Sequence, residues 1–146
     1  MTSSRFAVAV HVLALLASSR EEALSSEYIA GSVNTNPVVI RRLMVMLRAA
    51  GLVQTLAGRG GGFLLAVEPE DVTLLDIYRA VDERALIAIH NQPNVQCEVG
   101  RHIKTVLEDY TTAAARAMEA SLQTVTLAAV VSSIGRLTSS ETSATG

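Results

Sequence analysis

Side chains able to do covalent or metal chemistry are few in this chain, which has one cysteine and three histidines in 146 residues. Cys97 lies in the loop Asn91–Gly100, flanked in sequence by His90 and His102. Those three are a candidate metal site, to which a partner chain could add ligands. As a lone thiol, Cys97 is the candidate sensor. A helix start favours the reactive thiolate, and Glu98 beside it works the other way. An ordinary loop cysteine is the competing reading. His11 lies on an apolar helical stretch and reads as a hydrogen-bonded core or edge histidine. No Ser/His/Asp grouping, carboxylate pair or metal spacing emerges, so no catalytic residue and no metal site is assigned. One cysteine excludes an intrachain disulfide framework and suits a reducing compartment such as the cytoplasm.

Two other stretches carry recognition chemistry. Gly58-Arg59-Gly60-Gly61-Gly62 resembles a phosphate cradle. However, it lacks the Gly-Lys-Ser/Thr ending, places Phe63 where a glycine is needed, and leads into a strand. A flexible tip with Arg59 and Gly60 placed to reach a narrow DNA minor groove fits better, a solvated hairpin tip being the plainer alternative. The other stretch is Asn34-Thr35-Asn36-Pro37-Val38-Val39-Ile40-Arg41-Arg42. Asn36 suits an N-cap and Pro37 the first helical position. A helix is expected from Pro37 to about Ala50, stopped by Gly51. Ile40, Leu43, Met44 and Leu47 share one face, and Val38, Arg41, Arg42, Val45 and Ala49 point away.

An outer face with two arginines and almost nothing acidic suits the major groove of double-stranded DNA. Arg41 and Arg42 would meet phosphates or guanine edges, and Val38 or Val39 thymine methyls. Asn34, Thr35, Asn36 and Pro37 stand at the helix start for phosphate or base contacts. Ser25, Ser26 and Tyr28 would hold the DNA backbone.

These residues need positioning elements, and the periodicity supplies them. A first helix runs from about Ser3 or Ser4 to Ser18. Arg5 followed by Phe6–Ala17 mimics a short signal peptide, but His11 interrupts the run and a core helix is expected. No apolar run reaches the roughly 18 residues of a membrane span. Ser25 or Ser26 caps a short helix, Glu27–Ser32, and Val33–Asn36 is the turn. Strands Leu52–Leu56 and Phe63–Val67 flank the glycine loop, making a winged helix-turn-helix. Thr73 caps Leu74–Asp82, whose stripe Leu74, Ile77, Tyr78 and Val81 reads as core. A second apolar piece, Ala85–His90, follows.

From Val99 to Thr124 the pattern is helical again, about 39 Å long at ~1.5 Å per residue. Ile103, Val106, Tyr110, Ala113, Ala117 and Ala120 form a narrow seam, with Leu107, Ala114, Met118 and Leu122 beside it. Small residues let a second helix approach, so a dimerisation helix is expected. Packing along its own winged helix is the alternative. Thr126 caps a last helix, Leu127–Leu137, and the Ser/Thr-rich residues 138–146 read as a disordered tail. The expected class is mostly α with a small β-hairpin. Residues 1–82 form the DNA-binding domain, 83–137 the connecting loop and dimerisation helices.

Composition agrees with helices packed on helices, 49% of residues being apolar and only 3% aromatic. The net charge of −2 hides an asymmetry. Residues 1–64 carry six arginines against three glutamates, giving +3, and the remainder six basic against eleven acidic groups, giving −5. An anionic partner at the front fits this division. The acidic total motivates one rival, a winged-helix protein–protein module that binds no DNA.

Taken together, the motifs resemble the Rrf-type bacterial transcription regulators, the family of IscR, NsrR and CymR. The resemblance rests on Ser4-Arg5-Phe6-Ala7-Val8, Asn36–Leu43, Gly51-Leu52-Val53, Gly58–Ala66 and Thr73–Val81, and covers roughly residues 3–125. It implies a homodimeric regulator, read here as a repressor on a pseudo-palindromic operator, with a long crossing helix at the dimer interface. The family's iron–sulfur members use three cysteines in the loop before that helix. This chain has Cys97 alone, so it resembles the cluster-free members, with no cofactor and an unassigned effector.

Overall fold

A computed structural model describes residues 4–81 and 93–145. The expected piece Ala85–His90, with His90 itself and the boundary between residues 82 and 83, lies outside the described residues. The first helix, α1 (Arg5–Ala17), lends Ala9, Val12, Leu13 and Leu16 to the core, each fully buried. Two further helices, α2 (Ser26–Val33) and α3 (Pro37–Ala49), pack across it. The α3 face expected to be buried, Ile40, Leu43, Met44 and Leu47, is the buried face.

Local sequence explains each boundary. The Tyr28 amide donates to Ser25 Oγ at 3.1 Å, capping α2. Asn34 takes a left-handed conformation, φ 61°, and ends that helix. The Val38 amide donates to Asn36 Oδ1 at 2.8 Å, and Pro37 follows as the first helical residue. Gly51, at φ 77°, stops α3, and the Leu52 amide returns to the Leu47 carbonyl at 3.0 Å.

The wing is an antiparallel pair, β1 (Val53–Leu56) and β2 (Gly62–Leu65), registered Val53 to Leu65 and Leu56 to Gly62. Leu24 adds a bridge on the outer side of β2. Its amide donates to the Phe63 carbonyl at 3.0 Å and its carbonyl accepts from the Phe63 amide at 2.8 Å. Both strands are one residue shorter than the periodicity predicts: Leu52 turns into the core, and beyond the Val53–Leu65 pair the Ala66 amide still donates to the Leu52 carbonyl at 2.9 Å. A short 3-10 turn at Pro69–Asp71 then leads to α4 (Leu74–Ala80). Thr73 and Asp76 cap α4 reciprocally, the Asp76 amide donating to Thr73 Oγ1 at 3.1 Å and the Thr73 amide to Asp76 Oδ2 at 2.9 Å. Phe6 and Tyr78 meet edge to face at 5.8 Å, and Arg5 donates to the Val81 carbonyl, tying α1 to α4.

The long helix α5 (Glu98–Gln123) lies within a residue of its expected span and rests on α4. An ion pair of 3.6 Å joins Arg79 to Glu119. None of its residues is buried. The chain then returns to the winged helix. Thr126 bridges Thr73, with the Leu74 amide on the Val125 carbonyl at 2.9 Å and the Leu127 amide on the Val72 carbonyl at 2.8 Å. Leu127, fully buried, plugs the last helix α6 (Leu127–Ala144) into the core, and α6 lies against α1.

The expected disordered tail is corrected here: α6 continues through residues 138–144. Hydroxyls of Thr138, Ser139, Ser140, Thr142 and Ser143 each donate to the carbonyl four residues back. Satisfied within the turn, they do not compete with the helical ladder, which a reading of composition alone cannot register.

Candidate nucleic-acid interface

The outward side of α3 is a mixed apolar and cationic strip. Val38, Val39 and Val45 are exposed, Val45 at 68%, and alternate with exposed Arg41, Arg42 and Arg48. The capping bond fixes the side chain of Asn36 at the entrance to the strip, and Pro37 is half-buried behind it. Asn34 is exposed, while Thr35 is half-buried with its amide on the Ala30 carbonyl at 2.9 Å. The first turn of α2 presents Tyr28 to solvent, 60% exposed. Ser25 is half-buried, its hydroxyl occupied by the cap. Ser26, expected among the backbone contacts, is buried at the start of α2 and does not present its side chain. Period-3.6 reasoning over so short a helix could not settle which serine caps and which turns inward.

One residue that the sequence did not suggest stands inside this strip. Glu27, on α2, accepts a hydrogen bond from Arg41 Nη2 at 2.8 Å, with 66% and 52% of the two side chains exposed. The face is therefore less free of acid than α3 alone suggests. Fourteen positions separate the pair, and no periodicity links them. Arg42, Arg48 and Arg59 make no ion pair among the described residues.

At the wing tip Arg59 is exposed between Gly58 and Gly60, whose φ angles are 90° and 77°. The turn is closed by the Gly61 amide on the Gly58 carbonyl at 3.0 Å. A Cβ at Gly61 would come within 2.2 Å of the Leu56 carbonyl oxygen, and one at Gly62 within 2.3 Å of that of Leu24. The glycines thus answer to backbone crowding and positive φ.

Elsewhere, α5 leaves its seam uncovered. Val106 is 49% and Tyr110 72% exposed, Ala113, Ala117 and Ala120 are exposed, and Ile103 is half-buried. Of the second stripe, Leu107 and Ala114 are exposed and Met118 and Leu122 half-buried. Cys97 is exposed at the N-cap of α5, its amide on the Asn94 carbonyl at 3.2 Å. His102 approaches Arg101 Nε at 3.5 Å. Among the described residues no group of three or more His, Cys, Asp or Glu side chains gathers to hold a metal. His11 is an edge histidine, its Nε2 3.0 Å from Ser32 Oγ. Among the described residues no helix is long and apolar enough to cross a membrane.

Comparison with known proteins supplies the context for this surface. A sequence model of the Rrf2 family, described as iron-dependent transcriptional regulator, matches residues 2–133. A Bacillus subtilis protein named as a candidate HTH-type transcriptional regulator, YwnA, is 44% identical over 128 residues, 87% of this chain and 94% of that one. A crystal structure described as that of a candidate DNA-binding protein is 38% identical, with a TM-score of 0.69, covering 87% of this chain and 98% of its own. Another, of a candidate transcriptional regulator from Lactobacillus plantarum, is 25% identical with a TM-score of 0.79, covering 96% and 98%. A single thiol in the whole chain cannot supply a three-thiolate set, so this chain does not fit an iron–sulfur cluster of that kind.

Proposed function

We propose that this chain, which belongs to the Rrf2 family of transcriptional regulators, is a sequence-specific DNA-binding repressor working as a homodimer on a pseudo-palindromic operator. The observation that carries the reading is the α3 strip: exposed Val38, Val39, Arg41 and Arg42 behind an Asn36-capped helix start, with the opposite face locked in the core.

Each protomer lays the first turns of α3 in a major groove. Arg42 and Arg41 donate to guanine edges, and Val38 and Val39 press on thymine methyls. The α3 start, with Asn34, Thr35 and Asn36, faces the phosphates, where unpaired amides and the helix dipole favour negative charge. Ser25 and Tyr28 steady the flanking backbone, and Arg59, carried by Gly60 and its neighbours, enters the minor groove. The α5 seam of Ile103, Val106, Tyr110, Ala113 and Ala117 meets its symmetry mate. Two-fold symmetry then imposes matching half-sites on the DNA. An apolar seam left this open within one protomer supports that pairing.

The test is operator binding by Arg42→Ala. Affinity for a duplex selected from a random library should fall by about 1–3 kcal/mol, with discrimination relaxed at one position of each half-site. Wild-type binding should weaken steeply with salt, since phosphate contacts release counterions. Unchanged affinity and specificity in Arg42→Ala would rule out this docking. No binding to any duplex at low salt would favour a protein–protein module.

A further inference from the structure

We infer that Glu27 is a positioning residue that aims Arg41 at a base edge and withholds it from the phosphates, so that α2 takes part in setting sequence specificity. This rests on the reading of α3 as the DNA-reading helix. The observation is the 2.8 Å hydrogen bond from Arg41 Nη2 to Glu27 Oε1, running from the second turn of α3 to the first turn of α2.

A carboxylate on a DNA-facing surface is at first sight a defect, because it repels the phosphates that supply sequence-independent affinity. Its position beside a cation gives it a use. Guanidinium is a planar fork with five N–H donors. One Nη2 donor on Glu27 leaves the rest of the fork free, enough for two parallel bonds to the N7 and O6 of guanine. An unrestrained arginine on an exposed helix turn can swing to the nearest phosphate instead, adding affinity for every sequence alike. Glu27 removes that option in two ways. It fixes the fork's orientation, and it offsets the charge that would attract a phosphate. In free solution the pair is more than half exposed on both sides and screened, so it adds little to folding. Under a DNA duplex the same pair loses water and its attraction strengthens. A negative charge in the first turn of α2 also suits that helix's dipole, but this asks nothing of Arg41, whereas discrimination uses the bond between the two.

The experiment compares wild type, Glu27→Gln, Arg41→Ala and the double variant, as full-length protein. Each is titrated with the selected duplex and with a scrambled duplex of equal length and composition, over a range of salt. Glu27→Gln should bind scrambled DNA about three- to tenfold more tightly, with its salt slope steepened by about one phosphate contact. The selected duplex should gain less, so the ratio of the two affinities falls by several-fold. In the Arg41→Ala background, Glu27→Gln should leave that ratio unchanged, because no fork remains to aim. A merely structural Glu27 would not move the salt slope, and circular dichroism checks that each variant folds. If Arg41→Ala lowers the ratio while Glu27→Gln retains the wild-type ratio and slope, the assignment of Glu27 is wrong and the docking of α3 stands. A change of ratio in the Arg41→Ala background equal to that in the wild type also overturns it. If Arg41→Ala itself keeps the wild-type ratio, Arg41 reads no base and the inference falls with it.

Discussion

Thr73 illustrates how much one side chain can decide. Its hydroxyl and the Asp76 carboxylate close the N-terminus of α4 reciprocally, and the same residue forms the bridge to Thr126 through its neighbours' main chain. Thr73→Ala should cost about 1 kcal/mol of stability through loss of the cap, seen as a lowered urea midpoint with an unchanged slope. A variant as stable as the wild type would show that the cap is replaced by water. Features of this kind could be read from the chain, because a cap joins residues two or three apart: Asn36 with Val38, Thr73 with Asp76, Thr126 with Ala129. What escaped such reading depends on tertiary approach. Glu27 meets Arg41 only once the turn at Asn34 has folded α3 against α2, and Ser26 is buried by that same packing.

The hairpin and the terminal helix show where pattern reading serves and where it misleads. Alternation around a glycine run marks a wing, and the wing is there, with Val53 and Leu65 turned inward. The glycines themselves admit two readings in sequence and one in space. Gly62 passes beneath Leu24, whose carbonyl oxygen would stand 2.3 Å from an added Cβ. Gly62→Ala should therefore pull β2 away from Leu24 and destabilise the fold by about 1–3 kcal/mol, detectable as a lower melting temperature and faster amide exchange at Phe63. Retained stability would mean that Leu24 yields without cost. In α6 the error ran the other way: seven residues of Ser, Thr, Glu and Ala looked too polar to hold structure, yet their hydroxyls bond along the helix they continue. Polarity predicts exposure, and exposure alone does not melt a helix that Leu127 anchors in the core.

Across the chain, two groups of apolar side chains stand in contrast. One is enclosed by α1, α3, α4 and Leu127. The other, along α5, is left open. Val106→Glu tests the meaning of the second. Because Val106 is half exposed in the protomer, folding should survive, while sedimentation at micromolar concentration should show a monomer and the full operator should lose its advantage over a half-site. A variant that sediments like the wild type would remove Val106 from the interface. One further consequence follows from the main-chain bonds between Thr73 and Thr126, where the path out along α4 and α5 is sewn shut at its base before α6 begins. A segment whose ends are stitched together can be lengthened, shortened or exchanged at an entropy cost that grows only with the logarithm of its length. The stretch between those threonines is in that sense a closed loop with two unequal parts. Leu75, Ile77 and Val81 commit α4 to the core, so the freedom to change length lies beyond α4, on the arm whose helix α5 buries none of its residues.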